Sequence, residues 1–177
     1  MRYRRALPDP PVINDGPHAQ MASWRGVRRR ERGLLMFRFR TRVVTADLDP
    51  AGIVWYGNFL RFVEAAEDDL LRAGGLSKYR IQVSHKIVLT RAEFSCTFRS
   101  PAHPDDQLDI LLSVSENTTM HVRCHFDVRH VPSERLIASG NFQAVCVEPR
   151  TFSRVPLPPP VRAVYEGASA SGGLHHA

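Results

Sequence analysis

The sequence predicts an α+β domain in which a five-stranded antiparallel sheet wraps around one long central helix. Two observations predict it. Several segments beyond residue 36 alternate apolar and polar residues at period two, while a single segment between them follows the 3.6-residue period. The order is strand, helix, then four strands in succession, so one helix with an apolar stripe faces one sheet with an apolar side. Each buries the other if the sheet curls round the helix. A chain of 177 residues is long enough for one well-buried core and short for two.

The first strand is read in FRFRTRV, residues 37–43, where Phe and Val alternate with Arg. The helix is read in WYGNFLRFVEAAEDDLLRA, residues 55–73. Trp55, Phe59, Phe62, Val63, Ala66, Leu70 and Ala73 recur there at spacings of three and four, and Gly74-Gly75 ends it. Arg61, Glu64, Asp68 and Arg72 fall mostly away from that stripe, and Glu64 and Glu67, near the helix middle, read either as approaching a substrate or as solvent-facing. The second strand, residues 88–98, sets Val88, Thr90, Ala92, Phe94, Cys96 and Phe98 on one face. SPAHPDDQ is a turn leading into Leu108, Ile110, Leu112 and Val114 at period two. The fourth strand puts Met120, Val122, Cys124, Phe126 and Val128 inward, leaving His121 and His125 outward. Four residues along a strand separate those two by about 13 Å, too far to share a metal ion. The last strand, 135–147, turns Leu136, Ala138, Phe142, Ala144 and Cys146 to the core.

Charge separates the ends from this body. The formal charge is +6, yet residues 1–35 hold eight Arg against Asp9, Asp15 and Glu31, which leaves only +1 for the rest. The basic character therefore belongs to a Pro- and Arg-rich extension expected to be disordered, and the body has no electrostatic footprint for nucleic acid. Met36, just before the first strand, is the simplest translation start. Residues 36–150 form the expected domain. Residues 151–177, Pro-rich and then Gly/Ser-rich, form a tail with room for one short helix near Pro160 to Tyr165. No apolar run in the extension is long enough for a signal peptide or a membrane span, so the expected location is the cytoplasm. Cys96, Cys124 and Cys146 lie in separate segments without paired spacing and read as small core residues.

The chemistry concentrates in DLDPAGIVWYGNFLRF, residues 47–62, where acid, Pro, Gly and aromatic residues fall in one register. Together with FRSPAHPDDQLDIL further on, this run resembles the hotdog-fold acyl-CoA thioesterases, in the branch of the 4-hydroxybenzoyl-CoA thioesterase and YbgC. The resemblance covers roughly residues 38–148. It implies that Asp49 is the catalytic carboxylate, acting as nucleophile or general base, and that the backbone N–H of Tyr56 polarises the thioester carbonyl. It further implies that Gly52, Trp55, Gly57 and Asn58 surround the substrate, with no metal and no cofactor. An acyl-CoA or acyl carrier protein thioester is the implied substrate, and a homodimer or homotetramer the implied assembly. Two positions depart from the pattern. Members near the 4-hydroxybenzoyl-CoA enzyme carry Pro where this chain has Gly57, and YbgC-like members carry His where it has Tyr56. The turn SENTTM also lacks the basic cluster that helps hold the CoA phosphates in the aromatic-substrate enzyme.

The residues support that chemistry on their own terms. A thioester is already electrophilic, so hydrolysis needs a carboxylate to attack or to activate water, and donors for the developing oxyanion. Ile53 to Tyr56 include no side chain that caps a helix, so the first N–H groups of the helix are expected to be free for an anionic oxygen. Asp49 lies one short loop upstream, shaped by Pro50 and Gly52, whereas Asp47 reads as a turn residue. A hydroxyacyl dehydratase of the same fold would place a His on the helix, and residues 54–73 contain none. A non-catalytic module binding acyl-CoA or an acyl carrier is the remaining alternative.

Overall fold

The computed structural model describes residues 28–31 and 34–169. Strands β1 (Arg28–Glu31) and β2 (Leu34–Arg42) come first. Helices α1 (Asn58–Ala73) and α2 (Lys78–His85) follow, then strands β3 (Val88–Phe98), β4 (Gln107–Asn117), β5 (Val122–His130) and β6 (Leu136–Val147). The short β7 (Arg154–Val155) and helix α3 (Pro159–Ser169) complete the order. The antiparallel sheet runs β1-β2-β4-β5-β6-β3, and β7 pairs with β6. It curls around α1, whose Phe59, Phe62, Val63, Ala66, Leu70 and Leu71 are buried. Each of the larger of these side chains contributes about 1.5–3 kcal/mol by leaving water.

The inward faces of β4 and β5 follow the period-two expectation except at their ends, where Val114 is only partly buried and Met120, expected inward, is 37% exposed before β5 begins. Leu108, Ile110 and Leu112 on β4, and Val122, Cys124, Phe126 and Val128 on β5, are all buried. Strand β3 does not. A register shift between Arg91 and Glu93 inserts one extra residue against β6, so the pattern changes face partway along. Leu89 is buried before the shift, Phe94 and Cys96 pack on the core after it, and Thr90 and Ala92 are exposed. The same shift turns Arg91 under the sheet, with its guanidinium 4.0 Å from the Phe142 ring centroid.

Three other expectations change. The sheet has two strands beyond the expected five, because Arg28–Glu31 in the Arg run pairs with Leu34–Phe37, and β7 pairs with β6. A second helix, α2, fills the connection before β3, capped by the Ser77 hydroxyl on the Arg80 N–H. The boundaries at residues 36 and 150 also move, the first because β1 and the start of β2 lie within the extension expected to be disordered. Leu157, Val161, Val164, Tyr165 and Ala168 are buried in the common core, so β7 and α3 belong to the domain. The short helix expected near Pro160 to Tyr165 is present as α3. The expected disorder of the Pro-rich leader and of the final Gly/Ser-rich residues lies outside the described residues.

Candidate active site

The loop from Asp47 to Gly57 is a small closed structure. Asp49, Pro50, Ala51 and Gly52 form a β-turn, in which the Gly52 N–H donates to the Asp49 carbonyl at 3.0 Å. Pro at its second position and Gly at its fourth suit a type I turn. Gly52 has φ +76°, a conformation that a side chain strains. The chain then returns alongside itself. The Asp49 N–H donates to the Ile53 carbonyl at 2.8 Å, the Trp55 N–H to the Asp47 carbonyl at 2.9 Å, and Leu48 bridges Val54.

The two carboxylates differ sharply in availability. Asp47 is 2% exposed and fully engaged: one oxygen accepts the Val44 N–H at 2.9 Å and the other accepts from the Arg61 guanidinium. The reading of Asp47 as a solvated turn residue is therefore corrected. Asp49 is partly exposed, and only its Oδ1 is used, accepting the Ala51 N–H at 2.8 Å. Among the described residues its Oδ2 has no donor and no cation lies within ion-pair distance. Of the two acids, only Asp49 keeps an oxygen uncommitted among the described residues.

The start of α1 supplies donors. Its N-cap is Gly57, which offers no side-chain cap. The Asn58 and Phe59 N–H groups are taken by the Trp55 and Tyr56 carbonyls. Among the described residues, the N–H groups of Tyr56 and Gly57 have no acceptor. Two adjacent unpaired donors at a helix N-terminus favour a partly negative oxygen. The Asn58 side-chain amide donates to the Asp47 carbonyl at 2.9 Å.

Aromatic rings surround these donors. Tyr56 is 66% exposed, Phe98 49% and Trp55 46%, so three large apolar groups stand at the surface together. Ring centroids are 5.1 Å apart for Trp55 and Tyr56, 6.5 Å for Tyr56 and Phe98, and 5.3 Å for Phe59 and Phe98. The departure at Gly57 has a local cause. A Cβ built there would lie 2.2 Å from the Trp55 ring, so the absent side chain is what lets the indole fold down over the helix start. Phe98 ends β3, the free edge of the sheet. A cleft of about 460 Å³ across β3, β6 and β5 is lined by Glu93, Phe94, Ser95, Arg123, Asn141 and Phe142, and it includes neither Asp49 nor Tyr56.

The sequence of this body matches a known family over residues 43–164, the stretch that runs from the end of β2 into α3; the family is described as the thioesterase-like superfamily. The chain belongs to the thioesterase-like superfamily. Its hotdog architecture is shared with the solved 1,4-dihydroxy-2-naphthoyl-CoA thioesterase from Synechocystis. That structure is 26% identical, with 73% of this chain and 95% of the other covered and a TM-score of 0.69. The acyl-CoA thioester hydrolase YbgC of Escherichia coli is 26% identical over 74% of this chain and 96% of its own. The 4-hydroxybenzoyl-CoA thioesterase of a Pseudomonas species is 36% identical over 42% of this chain and 55% of its own. Thioester hydrolysis is common to these relatives, and this superfamily member is an enzyme of that class. Among the described residues no helix is long and apolar enough to cross a membrane.

Two features escaped the sequence reading. Glu67 is 2% exposed and accepts from the Tyr165 hydroxyl at 2.7 Å, from Arg91 at 3.0 Å and from Lys78 at 3.1 Å. The signal was present, since Glu67 follows Val63 by four and precedes Leu70 by three, inside the apolar stripe. The burial of Asp47 had no comparable periodic signal, because its partner Arg61 is fourteen residues away.

Proposed function

We propose that this superfamily member hydrolyses an acyl-CoA or aroyl-CoA thioester, with Asp49 as the reacting carboxylate and the Tyr56 N–H as the principal oxyanion donor. The observation that carries this reading is the pairing of an uncommitted Asp49 Oδ2 with two unpaired N–H groups at the start of α1. In one route the carboxylate adds to the thioester carbon, the negative charge collects on the carbonyl oxygen at the helix end, and the C–S bond breaks. The thiolate leaves, and water hydrolyses the resulting anhydride. In the other route Asp49 takes a proton from water, hydroxide adds to the same carbon, and the proton passes to the departing sulfur. Both place negative charge where the free N–H groups point. The exposed rings of Trp55, Tyr56 and Phe98 supply an apolar wall for the acyl group, which favours aromatic acids of the kind that two of the named relatives act on.

We further place the active site at a dimer interface. The edge strand β3 has unpaired backbone groups along eleven residues, and it ends at Phe98 against Tyr56 and Phe59. A second copy pairing along that edge would remove an aggregation-prone border and close the open side of the site. Light scattering at micromolar concentration should give at least twice the chain mass; a monomer mass would refute this part. The activity is tested by free-thiol release from a panel of aromatic and aliphatic CoA thioesters, with the same acyl groups on acyl carrier protein alongside. Turnover of aromatic CoA thioesters supports the reading. Binding without thiol release from any thioester would favour a non-catalytic module.

A further inference from the structure

We propose that Asp47 and Arg61 are positioning residues, a buried clamp that sets the Asp49 turn against the start of α1; this rests on the assignment of Asp49 and Tyr56 above. Besides its own N–H bond to the Val44 carbonyl, four interactions converge on Asp47. Its carboxylate holds the Val44 N–H, where the chain leaves β2, and the Arg61 guanidinium, one turn into α1. Its carbonyl accepts from the Trp55 N–H at 2.9 Å and from the Asn58 amide at 2.9 Å. One residue therefore ties together the strand end, the returning arm of the loop and the first turn of the helix. Asp49 is two residues away and is held only by bonds within its own turn and to Ile53. Tyr56 and Gly57 lie directly between the two residues that Asp47 grips, Trp55 and Asn58.

Burial separates the two partners. Asp47 is 2% exposed, whereas the Arg61 side chain is 57% exposed and also lies over the Phe62 ring, with its guanidinium carbon 4.9 Å from the centroid. Removing the cation therefore opens no cavity, although it leaves the buried Asp47 carboxylate with one donor fewer and costs some stability. Asn at position 47 is not a neutral replacement. Its amide presents one acceptor where Val44 and Arg61 require two, and its NH₂ must face one of these donors. Either change leaves Asp49 and the Tyr56 N–H chemically intact but loosens their mutual placement. Catalysis is sensitive to displacements of about 1 Å, which cost on the order of 100-fold in rate.

The test uses the full chain and a thioester turned over by the parent. Arg61→Met, Arg61→Lys, Asp47→Asn and Asp49→Asn are compared, with Arg72→Met as the control. Arg72 is a comparably exposed arginine on the same helix, paired at 3.9 Å with the partly exposed Asp68 and far from the loop. Arg61→Met and Asp47→Asn should each lower kcat by about 10- to 100-fold with KM within threefold of the parent. Arg61→Lys should recover most of the loss, and the double Asp47→Asn/Arg61→Met variant should be no slower than the worse single change. Arg72→Met should match the parent. If Asp47→Asn fails to fold, the Arg61 pair decides alone. A parent-like kcat in Arg61→Met, or a loss that appears only in KM, overturns the clamp, with all rates read well below each variant's own Tm. Parent-like activity in Asp49→Asn would instead show that the underlying site assignment is wrong.

Discussion

Replacing Glu67 by Leu should be among the most destabilising single changes in this fold, and the surroundings of Glu67 set its size. The carboxylate joins three elements to α1: Lys78 at the start of α2, Arg91 beside the bulge of β3 and Tyr165 of α3. Lys78 also contacts Asp68 at 3.1 Å and is partly exposed, so it loses little. The Arg91 side chain is only 12% exposed and would keep just the Phe142 ring and Glu64 at 4.0 Å. Removing one member of such a buried pair costs about 3–5 kcal/mol. At roughly 2–4 °C per kcal/mol for a domain of this size, Tm should fall by about 10 °C. Tyr165→Phe removes one donor and leaves Glu67 its two cations, so it should cost only about 1 kcal/mol. Burial, reinforced by the nearby Glu67 charge, holds the Tyr165 hydroxyl protonated well above the usual tyrosine range. Its contribution is therefore complete below pH ~10 and declines as pH rises beyond that, a decline that Tyr165→Phe should lack. Calorimetry or thermal circular dichroism measures each variant. A Glu67→Leu protein within 2 °C of the parent, or a Tyr165→Phe protein as damaged as Glu67→Leu, would refute the reasoning.

Two further outcomes follow from geometry. Gly57→Ala keeps an allowed helical backbone, with φ −66° and ψ −24°, but forces the Trp55 indole away from its contact. It should leave Tm within a few degrees, shift the tryptophan emission and raise KM several-fold, whereas unchanged emission and KM would show that the ring does not border the substrate. The His125 imidazole, hydrogen-bonded to Asp127, titrates above the usual His range, and Asp127 titrates below the usual Asp range for the same reason. Stability from this pair is lost as pH rises above the His range or falls below the Asp range, so it is greatest between about pH 4 and 6.5. His125→Gln should lower Tm slightly at pH 5.5 and hardly at pH 8.5; the opposite ordering contradicts the assignment.

The parts legible in the sequence were those with a regular period. Helix α1 and the inward face of β5 repeat apolar residues at one spacing that burial follows, while β4 is buried on both faces from Leu108 to Leu112. Strand β3 was misread because one inserted residue at the Arg91 to Glu93 shift reverses its faces, and no local composition marks it. Helix α2 was missed because KYRIQVSH buries only Ile81, so it has no apolar stripe. Strand β1 was missed because its RRRE sequence has no strand alternation; it forms by pairing with a neighbour already in place. At the site, the Asp-Pro-Ala-Gly turn and the missing cap at Gly57 were readable from local chemistry. The division of labour between Asp47 and Asp49 was only half readable. It depends on which carboxylate Arg61 reaches across the fold, a tertiary contact that no local pattern encodes.

The central claim is that Asp49 carries the chemistry, and thiol release by Asp49→Asn tests it most directly. Asn preserves size and can still accept the Ala51 N–H, while it removes the charge that attacks carbon or deprotonates water. With the thioester that the parent turns over fastest, kcat should fall by at least about 100-fold while Tm stays within about 2 °C, because Asp49 is partly exposed and its bonds are local. An Asp49→Asn protein that keeps most of the parent's turnover would contradict the account.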